Sequence, residues 1–334
     1  MLRREAKLSI GNVQARPQQV ARGVTLIVAA AFTISVQDVV FKLFSAELTL
    51  WQIFALRALM TLPLFFALAW VQGAQRSALV DALRKWPLLR ALFMTMTFLA
   101  FYAAIPFLSL SSLGAANYIA PIFVTLLSAH VIGEAVGLRG WIAVFVGFAG
   151  VIILLQPGTD AFSPWVLLPV IGAFFYALSH VTTRTKCQSL PLITLALSVN
   201  LVMLAAGLIM SVVLVLWQPG EELVRSYPYI FGTWSPVGTS EWLVLGLLAV
   251  LAVAIAMLLA GAYQAAPPSV VATFEYGYLV FVAMWDYFFF ATSPSGSTIL
   301  GMLMIIGAGF MVLRRGQTKH ARVVAHSPIG SSTD

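Results

Sequence analysis

Ten stretches of this chain run for about twenty residues with almost no charge, which is what a helix needs to cross ~30 Å of hydrocarbon. They cover residues 23–44, 49–70, 87–105, 112–133, 138–155, 165–182, 190–217, 241–263, 269–290 and 297–313. The runs are apolar on every face, whereas the strands of a membrane barrel alternate polar and apolar residues. Helices are therefore expected. Composition agrees: 60% of residues are hydrophobic and 9% charged, against about 25% charged in soluble domains. So little polar surface cannot coat a water-soluble globule. The single cysteine, Cys187, forbids an internal disulfide and cannot alone build a zinc or iron–sulfur centre.

The net charge of +7 would suit nucleic acid were it gathered in one patch, but its distribution points to topology instead. Lys and Arg accumulate in cytoplasmic loops and set the orientation of membrane helices. If the first run enters from the cytoplasm, one side collects Arg3, Arg4, Lys7, Arg16 and Arg22, then Arg76, Arg84, Lys85 and Arg90. The same side adds Arg139, Arg184 and Lys186, and finally Arg314, Arg315, Lys319 and Arg322, making 16 of the 19 basic residues. Opposite loops carry Glu47, Asp160, Glu221, Glu222 and Glu241, with Arg225 the one base. The expected protein has ten helices and both termini in the cytoplasm, in the inner membrane of a bacterial cell. Residues 1–22 form a polar cytoplasmic arm and 316–334 a polar tail, expected to be disordered. No cleavable signal peptide is expected, because the first apolar run follows the arm and is long enough to span. The longest outer connection, 218–240, contains Tyr227-Pro-Tyr-Ile-Phe-Gly-Thr-Trp234 and reads as an interfacial aromatic belt or a lid.

The chain repeats itself. Gly114-Ala-Ala-Asn-Tyr-Ile-Ala-Pro121 and Ala272-Thr-Phe-Glu-Tyr-Gly-Tyr278 align at a shift that pairs Asn117 with Glu275 and Tyr118 with Tyr276. A second shift pairs Asp38 with His180 and Lys42 with Arg184. Five helices per half is an odd number, so the second half enters the membrane upside down, an arrangement typical of secondary transporters. The expected fold is an all-α integral membrane protein of two inverted five-helix repeats (5+5), residues 23–155 and 165–313. Asn117-Tyr-Ile-Ala-Pro121, Ile132-Gly-Glu134 and Ala272-Thr-Phe-Glu-Tyr276 with Pro294 and Gly301 resemble the drug/metabolite transporter superfamily, specifically its EamA-like members. Ser35-Val-Gln-Asp-Val-Val-Phe-Lys42 followed by Arg57 is similar to the branch that contains S-adenosylmethionine uptake carriers. The resemblance implies a 5+5 carrier of a small organic solute, such as an amino acid, riboflavin or S-adenosylmethionine.

Ionisable residues inside a span are costly, about 2.5–3.5 kcal/mol at mid-bilayer on insertion scales, and so become site candidates. Asp38 and Lys42 lie one turn apart in acid-before-base order, which favours pairing. They are either a structural ion pair or a substrate contact. Arg57 reaches a similar depth and is a second candidate partner for Asp38. Glu275, Tyr278 and Asp286 share a face of segment nine, and Glu275 is the candidate for proton coupling or for a cationic group of the solute. Asn117, Tyr118 and Pro121 form the corresponding wall in segment four. Tyr176 and His180 sit one turn apart in segment six. Gly147, Gly150, Gly301 and Gly307 would permit close helix packing.

These residues favour a secondary transporter working by alternating access on a zwitterionic or aromatic metabolite. Its partners would be that small molecule, membrane lipid and, as a coupling ion, the proton. No nucleic acid, cofactor or metal is expected. A drug or amino-acid efflux carrier of the same fold is the alternative. An intramembrane enzyme would need metal ligands or a nucleophile–base pair, and no His-Glu-x-x-His occurs. A channel or non-transporting scaffold would leave the inverted repeat unexplained. No Gly-x-x-x-x-Gly-Lys-Ser/Thr loop points to ATP.

Overall fold

A backbone in lipid must satisfy its own hydrogen bonds, and this one does so entirely with helices among the described residues. The computed structural model describes residues 17–71, 73, 75–127, 130, 138–155, 163–265, 274 and 277–308. Along the chain run α1 (Pro17–Phe44), α2 (Leu50–Val71), α3 (Gln75–Ala82), α4 (Lys85–Ala104), α5 (Leu110–Asn117), α6 (Ala120–Leu127) and α7 (Leu138–Leu155). There follow α8 (Leu167–Lys186), α9 (Leu192–Trp217), α10 (Glu221–Ser226), α11 (Pro228–Phe231), α12 (Thr239–Ala265), α13 (Gly277–Phe290) and α14 (Gly296–Ala308). Six helices are long and apolar enough to cross a membrane, and three shorter apolar ones accompany them, among the described residues. Hydroxyls in the spans also bond inward: Thr33 donates to Ala29 O at 2.7 Å, Thr61 to Arg57 O at 2.7 Å and Ser211 to Gly207 O at 2.6 Å. This is a multi-pass, all-α membrane protein.

Helix pairing defines the bundle. α2 packs on α9, α4 on α8, and α1 on α12; α2 also meets α12, and α4 meets α9. α6 packs on α8, α1 on α13, and α5 on α13. The α2–α9 crossing is close because Gly207 lacks a side chain: a Cβ there would lie 2.7 Å from Ala55 N and 2.9 Å from Trp51 O. Gly150 plays the same part between α7 and α14, where a Cβ would stand 3.0 Å from Gly301 O. Gly147 is equally crowded, by Ile122, but Gly307 faces open space, contrary to its expected packing role.

The main core lies toward the bundle end that carries the 45–49, 105–109, 218–238 and 291–295 connections, hereafter the loop end. Phe41, Leu50, Phe54, Ile105, Leu110, Leu113 and Leu245 are fully buried there. The first nine residues of α2, Leu50 through Ala58, are buried on every face, so this half-helix runs through the centre of the bundle.

Three local features depart from the sequence reading. Segment four is not one helix but two, α5 and α6, parted at Tyr118 and Ile119. Pro121 has no N–H to return to the carbonyl of Asn117, which ends the α5 ladder there. The expected loop 71–86 contains α3, whose Ala78 and Ala82, one turn apart, pack against Ile193 and Leu197 of α9. The 218–240 connection is likewise folded, as α10 and α11.

Candidate functional site

The polar centre of the bundle is built from α1, α2, α4 and α13. Asp38 is 2% exposed and accepts two tyrosine hydroxyls: Tyr278 at 2.6 Å on Oδ2 and Tyr102 at 3.2 Å on Oδ1. Gln37 Nε2 donates to Tyr102 Oη at 2.8 Å, and Arg57 Nη1 donates to Gln37 Oε1 at 3.4 Å. Arg57 also points Nη2 at Met203 Sδ and stands over the Phe41 ring at 5.4 Å, while its Nε has no partner. A chain of hydrogen bonds therefore runs from a buried guanidinium through an amide and a phenol to a buried carboxylate. Sequence periodicity places Asp38 six residues from the end of α1 and Arg57 seven from the start of α2. At 1.5 Å per residue both lie ~10 Å below the loop end. Trp285 Nε1 donates to Ser35 Oγ at 2.9 Å and ties α13 to α1 beside this network.

Two expected pairings do not form. No salt bridge joins Asp38 to Lys42 or to Arg57; the ion pairs among the described residues, Asp81–Arg84 and Glu221–Arg225, lie on short helices and turns between spans. Lys42 instead bonds to Leu108 O and stands 4.7 Å over the Phe290 ring, with Asp286 in electrostatic reach. It points along its helix toward the loop end, where its amine finds a carbonyl. Asp286 is turned toward α5. Its Oδ1 accepts Leu110 N at 2.9 Å, and its Oδ2 accepts Ser111 N at 2.7 Å and Ser111 Oγ at 2.6 Å. A carboxylate on α13 thus caps the N-terminus of α5, satisfying donors that would otherwise be orphaned in a dry core.

Asn117 is the last residue of α5, and Tyr118 stands in the α5–α6 break. Asn117 Oδ1 is buried without a hydrogen-bond partner. The Tyr118 ring lies 5.8 Å from that of Tyr278, extending the network toward the break, and Gly114 leaves room for the Tyr278 ring. Glu275 lies outside the described residues.

Tyr176 and His180 stand apart from this centre, on α8, with ring centroids 4.2 Å apart. His180 lines a cavity of about 370 Å³ between α6, α8 and the turn into α9, with Val124, Thr183, Cys187, Gln188 and Leu195 among the other walls. Its Nε2 is buried and unpartnered. Behind the wall Arg90 of α4 donates to Thr183 Oγ1 at 2.8 Å and to Leu195 O at 3.2 Å.

At the loop end the 228–235 segment is fastened over the bundle. Trp51 Nε1 donates to Ile230 O at 2.8 Å, and Gln52 exchanges two hydrogen bonds with the Ser235 backbone, at 2.8 and 3.0 Å. Trp234 Nε1 donates to Ser211 Oγ at 2.7 Å. Tyr229 inserts into the core, where burial pushes its hydroxyl pKa up. Phe107 stacks on Trp165, and Tyr227 meets both rings edge-on. These bonds hold the segment against α2 and α9.

Tyr102, Gln37 and Arg90 escaped the sequence reading as site residues. Gln37 stands within the Ser35–Lys42 motif beside Asp38, which was the available signal. Tyr102 follows Phe101 in a span without polar periodicity, and nothing local marks it.

Residues 21–156 match the model of the EamA-like transporter family. A riboflavin transporter of Rhizobium johnstonii is 30% identical over 197 residues, 58% of this chain and 58% of that protein. An S-adenosylmethionine uptake transporter of Rickettsia felis is 24% identical over 193 residues, 58% of this chain and 59% of its own. The alignments thus span about three fifths of these relatives. A solved crystal structure superposes with a TM-score of 0.56 at 17% identity, over 92% of this chain and 99% of that one, a likeness of fold alone.

Proposed function

We propose that this chain, whose residues 21–156 match the EamA-like transporter family model, is a secondary transporter that carries a small organic metabolite across the inner membrane by alternating access. The observation that carries the reading is the pair of relatives named for riboflavin and S-adenosylmethionine transport. They favour a carrier over an enzyme or a scaffold.

The bundle supports the finer architecture of two inverted repeats, 23–155 and 165–313. Exchange the first and second set of five spans and the α4–α8 contact becomes α12–α1. By the same exchange α6–α8 becomes α13–α1, and α2–α12 becomes α9–α4; all of these contacts occur. The α2–α9 and α5–α13 contacts map onto themselves. A two-fold relation of this kind supplies two poses of similar energy, one open to each side. The basic residues favour cytoplasmic termini, which puts the loop end outside. The 228–235 closure and the packed core then describe a pose shut to the exterior.

In this reading Asp38, Arg57 and Tyr278 form the central coupling site, with Tyr102 and Gln37 as positioning residues. Asn117 and Tyr118 line the path below it, Lys42 fixes the outer end of α1, and Glu275, outside the described residues, is the candidate for proton coupling by its sequence alone. Tyr176 and His180 belong to the cytoplasmic half of the path. A closed hydrogen-bonded network is where a proton or solute exchanges with the protein's own groups as the halves rock. The test is growth of bacterial auxotrophs on external riboflavin or S-adenosylmethionine. Rescue by the wild-type chain, lost in Asp38→Asn protein present at normal membrane levels, is the expected outcome. Absence of rescue for both solutes and for amino acids would remove the metabolite-carrier reading.

A further inference from the structure

α4 and α8 meet along one stripe of side chains. Phe93 stacks on Phe175 with ring centroids 6.3 Å apart, and one turn away Arg90 donates to Thr183 Oγ1 at 2.8 Å. Trp86 continues the stripe at helical spacing, at the end of the bundle opposite the loop end. Two amines converge on its ring. Lys85 Nζ, on the same helix, stands 5.4 Å from the ring centroid, and Lys186 Nζ, on the last residue of α8, stands 5.0 Å from it.

An indole face attracts one cation, but two ammonium groups at a single ring repel each other unless an anion joins them. No carboxylate does so among the described residues. The ion pairs there include neither lysine, and the nearest acid in sequence, Asp81, is held by Arg84 at 3.1 Å. Lys85, Trp86 and Lys186 are all exposed. Val80 and Leu83, on the approach to α4, are exposed as well, at 61% and 54%, and place apolar surface beside the amines.

We propose that Lys85 and Lys186 hold the phosphate headgroup of one anionic phospholipid, with Trp86 at headgroup level and the acyl chains against Leu83 and Val80. Basic residues between helices on the cytoplasmic side take anionic headgroups, and tryptophan settles at that depth. Zwitterionic phosphatidylcholine brings its own cation, which the two ammonium groups disfavour. A headgroup held by both lysines joins the start of α4 to the end of α8, and so reinforces the helix pair that Arg90 and Thr183 fasten one turn deeper. The site lies outside the central network and is independent of which solute is carried.

Purified full-length protein in detergent, titrated with dioleoylphosphatidylglycerol or dioleoylphosphatidylcholine and followed by native mass spectrometry, tests this. One phosphatidylglycerol should stay bound at concentrations where phosphatidylcholine does not. Lys85→Gln and Lys186→Gln should each weaken that retention about fivefold, the worth of one lysine at an anionic surface. Lys319→Gln, the same loss of charge elsewhere in the chain, should leave it unchanged. Wild-type protein gives a second reading: nanodiscs of phosphatidylglycerol, compared with phosphatidylcholine, should slow acetylation of Lys85 and Lys186 relative to Lys319. Equal retention of the two lipids, or an equal effect of Lys319→Gln, would overturn the assignment. Protection of both lysines by free glycerol 3-phosphate as strong as that by the lipid would overturn it too, and make the pair a site for a soluble anion.

Discussion

Replacing Tyr278 by Phe removes one oxygen and leaves the ring in place, so it isolates the 2.6 Å hydrogen bond to Asp38 Oδ2. The remaining donor to Asp38, Tyr102, stands at 3.2 Å and is itself shared with Gln37. Asp38 at 2% exposure has no water to replace what it loses. A buried acceptor left unsatisfied costs about 1–3 kcal/mol, so the thermal midpoint of the purified protein in detergent should fall by several degrees. Tyr287→Phe on the same helix is the matched control, since Tyr287 is 62% exposed and should be neutral. The decisive comparison is a double-mutant cycle with Asp38→Asn. If the hydroxyl acts through this carboxylate, the two changes should couple by ~1 kcal/mol or more, beyond the ~0.3–0.5 kcal/mol scatter of independent sites. Additivity within that scatter would refute the network as drawn. A Tyr287→Phe loss as large as that of Tyr278→Phe would refute it too.

Three further outcomes are expected. Gly207→Ala should destabilise the protein by about 1–3 kcal/mol, because its Cβ meets backbone atoms Ala55 N and Trp51 O, which cannot swing aside; the same thermal assay reads it. Gln52→Leu removes both bonds to Ser235, so amide hydrogen exchange across 228–235 should quicken about tenfold while α4 and α8 keep their protection. On a Cys187→Ser background, an impermeant maleimide added outside cells should modify Thr233→Cys and spare Ser77→Cys; the reverse pattern would invert the orientation.

Much of this was legible in the chain because lipid imposes one rule everywhere: apolar runs of spanning length become helices. The ends of α2 and α9 lie within two residues of the expected spans, and α1 ends at the expected Phe44 but starts earlier, at Pro17. Orientation within the bundle was not legible. A span apolar on all sides has no amphipathic face to say which residues meet a neighbour. Asp38 was therefore marked as important while its real partners, 64 and 240 residues away in sequence, went unseen. Helical spacing offered Lys42 as partner, but an amine near a helix end reaches a carbonyl at the rim without entering the core. Asp286 shows the same limit: its role as a cap depends on α5 beginning beside α13, a tertiary fact. α3 escaped because eight residues with two buried alanines carry too little hydropathy to stand out from a loop.

Solute counterflow tests the proposed carrier activity most directly. Liposomes containing the purified protein and loaded with unlabelled riboflavin would be diluted into trace labelled riboflavin. An obligate alternation of two poses should drive a transient accumulation of label above its external concentration, absent from empty liposomes and from Asp38→Asn protein that folds normally. Label that only equilibrates, at a rate indifferent to the solute inside, would contradict the carrier account and indicate a channel; no protein-dependent entry of riboflavin, S-adenosylmethionine or amino acids would contradict transport itself.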